Sequence, residues 1–253
     1  MRDPIKAGRE FLKDDIRLES DFRETDQNRG VEPPPLQKEY SEESEVISLP
    51  GKDTWDDIGK EDLLTCIENR ESRRRFSDQP LLLEELSYLL WSTQGIKRHI
   101  GPGTALRTVP SAGCRHAFET YLCVFNVADL NKGLYRYLPL EHGLIRLDCP
   151  DFFEHTLAEA ALGQGFTGAS AVTFIWTAVP YRMEWRYGPA AHRVIAMDAG
   201  HVCQNLYLAC ESIGCGTCAV GAYDQKKMDA FLGLNGDEEF TMYLAPVGRK
   251  HNS

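Results

Sequence analysis

The sequence predicts an α+β fold, because helical and strand patterns are both present and do not alternate strictly. Residues Leu83–Thr93 carry leucines at helical spacing and are followed by Gly95, a typical helix stop. Thr120–Val127 is rich in aromatic and β-branched residues and predicts a strand. The continuous apolar run Ala171–Val179 is typical of a strand buried on both faces. These segments predict a sheet packed against helices.

The other elements are predicted along the chain in the same way. Leu63, Leu64 and Ile67 share one helical face in a segment that stops near Arg70. Residues 98–116 hold five glycines and prolines and predict a long loop. Further helices are expected at Phe152–Leu162 and Asp198–Ile213, the second ended by Gly214, and further strands at Gly133–Tyr137, Leu144–Leu147 and Glu239–Pro246.

The first 60 residues differ from the rest in composition. They hold 16 acidic and 10 basic residues, with three prolines at Pro33–Pro35 and a polar run at Ser41–Glu45. A segment this polar does not build a core alone, so we divide the chain into an acidic arm, residues 1–59, and a main domain, residues 60–253. The apolar patch Val46–Pro50 favours an arm that lies on the main domain at its C-terminal end; partial disorder is the alternative.

Composition argues against several classes of function. Lys and Arg number 28 against 38 Asp and Glu, a net charge of −10, which disfavours nucleic-acid binding. The longest uncharged apolar stretch, Ala171–Pro180, is too short to span a bilayer, and the N-terminus lacks the apolar segment of a signal peptide. Eight cysteines in 253 residues are not a dense disulfide framework, so we expect a cytoplasmic protein with reduced thiols.

Two motifs match the sequence patterns of ligand-binding sites but lack the features that such sites require. Gly163–Gly168 reads G-x-G-x-x-G, but a predicted helix precedes it and a strand follows, which reverses the order that dinucleotide binding requires. Cys210, Cys215 and Cys218 have iron–sulfur spacing, but no later cysteine supplies a fourth thiolate. We interpret the glycines as a turn and the cysteines as buried thiols, and a redox role for Cys215 and Cys218 stays open. No histidine pair has close metal-ligand spacing, so no metal site is predicted.

The segment Arg70–Phe76 concentrates four arginines and one serine at the end of a predicted helix. A solvated surface normally alternates charges, and an acidic protein has little reason to gather like charges here. If the helical turn continues, Arg70 and Arg74 project from the same face. Such a pair of guanidiniums suits a phosphate monoester.

Three further segments complete the pattern. Arg107–His116 and Gly214–Ala222 are rich in small residues and glycine, which let a backbone approach a flat ligand closely. Pro246–Lys250 places two cations at the end of the last predicted strand. Together with the arginine-rich segment, they suit a phosphorylated planar cofactor.

These four segments, in this order, resemble the FMN-dependent nitroreductase family over about residues 60–250. The resemblance implies a nitroreductase-like fold, in which a mostly antiparallel central sheet is flanked by helices. It also implies FMN as cofactor and an intertwined homodimer with its active sites at the interface. It is closest to the SagB-type dehydrogenase branch, through the runs Arg107–Gly113, Gly133–Tyr137, Asp198–His201, Gln204–Ala209 and Gly216–Gly221.

The resemblance implies cofactor-binding roles but no catalytic side chain, since the flavin carries the chemistry in this family. The residues that correspond to the grip on the FMN phosphate and ribityl chain are Arg70, Ser72 and Arg74, with Arg249 as the late basic residue at the phosphate. Those that correspond to the loop reaching the isoalloxazine from the partner subunit are Pro110, Ser111, Ala112 and Gly113, and those near flavin N5 are Gly221 and Ala222.

The implied activity is that of an oxidoreductase moving two electrons between NAD(P)H and a small aromatic or heteroaromatic acceptor. One alternative is a SagB-type azoline dehydrogenase acting on thiazoline or oxazoline rings of a modified peptide. Azoline oxidases of this branch use a Lys-Tyr pair where this chain has Arg186 and Tyr187, and arginine stays protonated. Tyr187 is a candidate substrate-side group, with a packed aromatic as the alternative. Other classes are a flavin-binding protein without turnover and a structural protein with an empty pocket.

Overall fold

The computed structural model describes residues 3–101 and 103–251, and its centre is a seven-stranded sheet. The strand order is β1-β6-β5-β4-β7-β9-β8, and each neighbouring pair is antiparallel. The α+β class is therefore confirmed. The strands of the sheet are β1 Val46–Ser48, β4 Phe118–Val124, β5 Gly133–Leu138, β6 Gly143–Leu147, β7 Val172–Ala178, β8 Cys215–Thr217 and β9 Phe240–Arg249, and a separate hairpin consists of β2 Ile96–Gly101 and β3 Thr104–Arg107.

The helices cover both faces of this sheet. Leu122 and Trp176 face one layer, which includes Leu206, whereas Tyr121 and Ile175 face the opposite layer. Because both faces are covered, β7 is buried at every position, as its continuous apolar run predicted. The helices are α1 Pro4–Leu12, α2 Ile16–Glu19, α3 Leu63–Asn69, α4 Leu83–Gln94, α5 Phe153–Ala160, α6 Tyr181–Tyr187, α7 Ala191–Glu211 and α8 Gln225–Phe231.

The acidic N-terminal segment lies on the main domain along much of its length. Its strand β1 pairs with β6 at the edge of the sheet, and Leu49 beyond it is buried. Further toward the N-terminus, the Gln27 amide donates to the Trp185 carbonyl oxygen at 2.9 Å. The Lys38 ammonium lies 2.6 Å from a carboxylate oxygen of Glu239. Backbone pairing and ion pairing thus hold this segment where its own composition builds no core.

The predicted long loop over residues 98–116 is wrong in part, because it contains the hairpin of β2 and β3. Strand β2 is exposed along nearly its whole length. It therefore carries no alternation of apolar and polar residues, which is the signal that reveals a strand in a sequence. Gly103 turns the chain with φ of +57°, a conformation that suits glycine.

A buried histidine follows this hairpin and makes the free energy of unfolding depend on pH. The backbone amide of His116 donates to Ser111 Oγ at 3.0 Å, and its ring Nε2 lies 3.2 Å from the Ala105 carbonyl oxygen. Burial and the nearby charge of Arg107 lower the pKa of His116 to about 3. The folded ring therefore stays neutral at pH values where the unfolded histidine is protonated.

We expect His116 to reduce the free energy of unfolding as the pH falls below about 6.5, the ordinary histidine pKa, toward the folded pKa near 3. Between pH 7 and pH 4 this contribution is about 3 kcal/mol, because only the unfolded state takes up the proton. Chemical denaturation should therefore show a smaller pH dependence in His116→Gln than in the wild type. His155→Gln is the control, since that side chain is 76% exposed. An equal pH dependence in all three proteins would contradict the assignment.

Candidate functional site

The arginine-rich segment lies along the edge of the sheet formed by β8 and the end of β9. The Arg73 amide donates to the Thr217 carbonyl oxygen at 2.9 Å, and the Ser77 amide donates to the Arg249 carbonyl oxygen at 3.0 Å. A Cβ atom on Gly216 would come within 2.4 Å of Arg73 Cδ. Glycine is therefore needed for this close approach. Three of the four sequence segments meet here.

The hydroxyl of Tyr207, on α7, connects two of these segments. Its Oη lies 2.8 Å from Ser72 Oγ and accepts a hydrogen bond from the Ala219 amide at 2.8 Å. The ring is nearly buried, and the Arg70 guanidinium lies over it at 5.3 Å from the centroid. Sequence reasoning missed this residue, because Tyr207 occupies an ordinary core-facing position of a helix and only its tertiary partners give the hydroxyl a role.

The geometry of Arg70 and Arg74 corrects one expectation. Helix α3 ends at Asn69, and Arg70 has an extended ψ of 117°, so the helical turn does not continue to Arg74. The Arg74 guanidinium instead lies over the ring of Phe166 at 5.9 Å. Within residues 3–101 and 103–251, neither guanidinium forms an ion pair with a carboxylate. Both cations are thus left available to an external anion.

The glycine-rich turn Gly163–Gly168 closes another side of this region. As predicted, it connects a helix, α5, to a strand, β7. Its Gln164 side-chain amide donates to the Ala222 carbonyl oxygen at 2.8 Å. Gly221 and Ala222 are both exposed beside it. The structure therefore brings the predicted residues Arg74, Gly221 and Ala222 to one face through this turn.

Arg249 lies at the same edge, but its guanidinium is engaged by protein groups. Its Nη2 lies 2.6 and 2.5 Å from the two carboxylate oxygens of the buried Glu85, and its Nη1 donates to the Ile213 carbonyl oxygen at 2.8 Å. These partners orient the side chain toward the interior of the fold. The structure does not bring the Arg249 guanidinium into the unpaired set with Arg70 and Arg74, and its phosphate role stays a prediction.

The predicted isoalloxazine loop, Pro110–Gly113, lies against the opposite end of α7. Burial raises the pKa of Asp198 above its usual range, and the neighbouring Ser111 side chain and Ala112 amide partly oppose this rise. Gly113 has φ of +58°, and a Cβ there would meet Arg186 Nε and Tyr187 Oη, both at 2.7 Å. Tyr187 therefore packs directly beside this loop.

Helix α7 separates the two halves of the predicted site within one chain. Asp198 holds the loop and Tyr207 holds the arginine-rich segment, nine residues apart on the helix. At about 1.5 Å of rise per residue, this spacing is about 13 Å along the axis. No hydrogen bond found among the described residues joins the two groups of predicted residues directly.

Two of the cysteine thiols have low reactivity in this structure. Cys203 and Cys215 are buried, and burial raises the pKa of each thiol to about 12. Both are therefore protonated near neutral pH, whereas reactive cysteines are thiolates.

Within residues 3–101 and 103–251, no group of three or more His, Cys, Asp or Glu side chains is arranged to hold a metal ion. Over the same residues, no helix is both long and apolar enough to cross a membrane.

The Tyr207 hydroxyl should hold the Ala219 amide in place. In Tyr207→Phe, we expect amide hydrogen exchange of Ala219 to accelerate, because its acceptor at 2.8 Å is removed while the ring still packs. The same change should destabilise the fold by about 1–2 kcal/mol. Tyr40→Phe is the matched control, since Tyr40 is partly buried and its hydroxyl donates to the Glu141 carboxylate, away from Ala219. Unchanged exchange at Ala219 would contradict this role.

Known proteins show which family shares this arrangement. Residues 67–249 match the Nitroreductase family. MJ1384, a protein of Methanocaldococcus jannaschii that bears the nitroreductase name, is 35% identical over 195 residues, which is 77% of this chain and 93% of that protein. A solved structure from Ralstonia eutropha JMP134, also named as a nitroreductase, superposes with a TM-score of 0.67 at 27% identity. The superposition covers 87% of this chain and 99% of that chain.

Two further similarities are to proteins whose names refer to trifolitoxin processing and microcin synthesis. The trifolitoxin-processing protein TfxB of Rhizobium leguminosarum bv. trifolii is 26% identical over 171 residues, which is 66% of this chain and 46% of that protein. A chain of the E. coli microcin synthetase McbBCD complex, solved with truncated pro-MccB17, has a TM-score of 0.59 at 20% identity and shows a shared fold. It covers 83% of this chain and 80% of its own length.

The family match spans more than half of the chain, and the sheet flanked by helices is the nitroreductase-like fold. The similarity to TfxB supports the SagB-type branch, and the microcin synthetase chain shares the fold. This chain therefore belongs to the nitroreductase family of oxidoreductases.

Proposed function

We propose that this protein is an FMN-dependent oxidoreductase that moves two electrons between NAD(P)H and a small aromatic or heteroaromatic acceptor. One observation carries the cofactor assignment. Arg70 and Arg74 have no carboxylate partner among the described residues, although the chain carries a net charge of −10. Arg75 in the same segment also lacks a carboxylate partner, but of the three only Arg70 and Arg74 are found over aromatic rings among the described residues. Such a cluster of unpaired guanidiniums in an acidic protein favours an external anion.

The residues around these arginines fit a phosphorylated flavin. The guanidiniums of Arg70 and Arg74 would hold the phosphate, and Ser72 Oγ, positioned by Tyr207, would donate to the same end of the cofactor. Gly221 and Ala222 are exposed and carry no side chain beyond Cβ. A flat ring can therefore lie against their backbone. FMN, when bound, supplies the hydride-accepting and electron-donating chemistry.

The chain's own groups then position and shield that chemistry. Gln164 fixes the Ala222 carbonyl, and Tyr207 fixes the Ala219 amide, so the backbone on either side of Gly221 is anchored. Anchored backbone dipoles favour one charge state of a neighbouring ring without reorganisation. No side chain in this region needs to act as a nucleophile in such a reaction.

We infer that the working unit is a homodimer in which the Pro110–Gly113 loop of one copy completes the site of the other. Leu63, Leu64 and Ile67, on α3, are each more than half exposed. An apolar helix face of this kind is typical of a surface that another protein covers. Helix α3 leads directly into Arg70, so a copy seated on it would also border the proposed phosphate site.

A second candidate activity is azoline dehydrogenation in a modified peptide. It is favoured by the similarity to TfxB and by the position of Tyr187, whose hydroxyl lies beside Gly113 in the predicted flavin loop. Arg186, whose guanidinium lies 5.6 Å from the Tyr187 ring centroid, stands where azoline oxidases have lysine. An arginine stays charged and does not accept a proton, which disfavours this activity.

We expect Arg70→Ala/Arg74→Ala to lose most of its bound FMN while remaining folded, because both unpaired cations are removed from the proposed phosphate site. Loss of two charge-assisted contacts should weaken FMN binding by about 100-fold or more. The visible flavin spectrum after gel filtration and a fluorescence titration with FMN measure this. Arg75→Ala is the matched control, since it removes one cation of the same segment that is not found over an aromatic ring among the described residues. Wild-type FMN affinity in the double variant would contradict the phosphate assignment.

The activity itself is tested by mixing the FMN-loaded protein anaerobically with NADH or NADPH. We expect bleaching of the oxidised flavin, followed by recovery when a nitroaromatic acceptor is added. Bleaching that requires a peptide-loading partner would favour the azoline activity. Flavin that binds but is not reduced by either nucleotide would contradict the oxidoreductase proposal and favour a non-catalytic flavin protein.

A further inference from the structure

The N-terminal segment packs against helix α6, which ends beside the predicted flavin loop. The Gln27 backbone amide donates to the Trp185 carbonyl oxygen at 2.9 Å, and the Trp185 ring Nε1 donates to the Val31 carbonyl oxygen at 3.0 Å. At the start of the helix, the Tyr181 hydroxyl donates to the Asp26 carboxylate at 2.8 Å. These bonds fix α6 near both of its ends. This part of the segment precedes the residues that match the family, so the family match does not account for the contact.

Arg186, near the C-terminal end of α6, is held by the same segment. Its Nη1 donates to the Gln27 side-chain oxygen at 3.1 Å. Its other two nitrogens, Nε and Nη2, have no hydrogen-bond partner among the described residues, and neither is buried from solvent. Nε and Nη2 form one edge of the planar guanidinium, and such an edge binds a carboxylate through two parallel hydrogen bonds. Gln27 therefore leaves open the edge of Arg186 that suits a carboxylate.

This guanidinium lies against the predicted flavin loop. A Cβ on Gly113 would come within 2.7 Å of both Arg186 Nε and Tyr187 Oη. Because glycine has no Cβ, both side chains can approach the loop at this position. Arg186 and Tyr187 therefore border the segment that the resemblance places at the isoalloxazine.

No carboxylate of the described part of the chain forms an ion pair with Arg186. The acidic residues next to Gln27 and Arg186 have other partners. Asp26 accepts from the Tyr181 hydroxyl, and Glu184 lies 2.7 Å from the His192 ring. The charge of Arg186 is thus balanced by a neutral amide alone.

A second guanidinium adds to the positive charge beside the loop. Arg115 is buried, and its Nη2 donates to two neutral oxygens, the Gly103 carbonyl at 2.7 Å and Thr104 Oγ1 at 2.6 Å. Burial and the charge of Arg186 lower the pKa of Arg115, so the two cations are near enough to repel each other. An anion bound at Arg186 would reduce this repulsion.

We propose that Gln27 positions Arg186 to bind a carboxylate on the aromatic acceptor, so that the N-terminal segment forms one wall of the substrate site. The assignment rests on the proposed function, because it takes Pro110–Gly113 as the flavin loop. The Nε and Nη2 edge of Arg186 donates to the carboxylate, and the charge of Arg115 attracts it at longer range. Gln27 is a positioning residue, since its side chain acts through the guanidinium. The preferred acceptor is therefore an aromatic acid.

Titration calorimetry on the full-length, FMN-loaded protein tests this preference in the oxidised state, without a nicotinamide. The probes are 4-nitrobenzoate and its neutral counterpart 4-nitrobenzamide. We expect the acid to bind at least tenfold more tightly, because only the acid forms charge-assisted hydrogen bonds. Equal binding of the two compounds, tighter binding of the amide, or no binding of either overturns the proposal. Binding needs no turnover, so this result is separate from the bleaching by NADH or NADPH that tests the oxidoreductase activity.

Replacing the arginine assigns the carboxylate to this position. Arg186→Gln should weaken binding of 4-nitrobenzoate at least tenfold and leave binding of 4-nitrobenzamide and FMN unchanged. Arg193→Gln is the matched control, since Arg193 also bonds to the N-terminal segment but donates to the Leu12 carbonyl oxygen and pairs with Asp14. Thermal unfolding confirms that each variant folds. Wild-type affinity for the acid in folded Arg186→Gln overturns the assignment.

The positioning role of Gln27 has its own variant. Gln27→Glu keeps the size of the side chain and the backbone bond to Trp185, but its carboxylate would neutralise Arg186. We expect 4-nitrobenzoate to bind about tenfold more weakly and the amide to bind as before. Asn28→Asp adds the same charge at an exposed neighbour that bonds to Phe22, so it should preserve the preference. An unchanged preference for the acid in folded Gln27→Glu overturns the role of Gln27.

Steady-state kinetics separate the acceptor from the reductant, whose phosphates are also anions. With NADPH as reductant, Arg186→Gln should raise KM for 4-nitrobenzoate about tenfold and leave kcat and KM for NADPH near their wild-type values. A raised KM for NADPH with an unchanged KM for the acid would show that Arg186 binds the nucleotide and would overturn the proposal.

Discussion

The arrangement of the candidate flavin site depends on the main-chain contact between residues 72–77 and the sheet edge. The Arg73 amide bonds to Thr217 on β8, and the Ser77 amide bonds to Arg249 on β9. These bonds fix the register of an irregular segment against regular strands, so the side chains at intervening positions have defined directions. The small residues Gly216 and Gly248 allow the contact, since a Cβ at either position would overlap Arg73 or Phe76.

The basic residues at this edge divide into two groups by their partners. Arg73 lies 2.7 Å from Glu71, Lys250 pairs with the buried Glu211, and Arg249 pairs with Glu85. Glu85 and Glu211 are buried, and removing the cation from a buried carboxylate leaves an uncompensated charge, so Arg249 and Lys250 serve the fold. Arg73 pairs with the largely exposed Glu71. Arg70 and Arg74 contact aromatic rings instead, which orients a guanidinium without neutralising it. The carboxylates near this edge thus pair with other cations, and the charges of Arg70 and Arg74 are left for a ligand.

The sequence predicts the parts of this fold that have a local signal. The leucines of α4 with Gly95 are visible as helical spacing, and β7 is visible as an unbroken apolar run, because both are regular buried elements. The start of α7 at Ala191 and the short strands β1 and β8 were missed, because polar helix turns and three-residue strands carry little pattern. The role of Tyr207 depends on two partners distant in the chain, and its sequence neighbours give no indication of them.

The exposed face of α3 connects assembly to cofactor binding in physical terms. Ile67 precedes Arg70 by three residues, about one helical turn or 5 Å. Burying large aliphatic side chains such as Leu63, Leu64 and Ile67 stabilises a contact by about 1.5–3 kcal/mol each. A second copy that covers this face therefore also removes water from around the Arg70 guanidinium. Because charge interactions strengthen as the local dielectric constant falls, the same contact that stabilises a dimer would strengthen the hold of Arg70 on a phosphate. In the proposed homodimer, the unpaired arginines would therefore hold a phosphate most strongly where two chains meet.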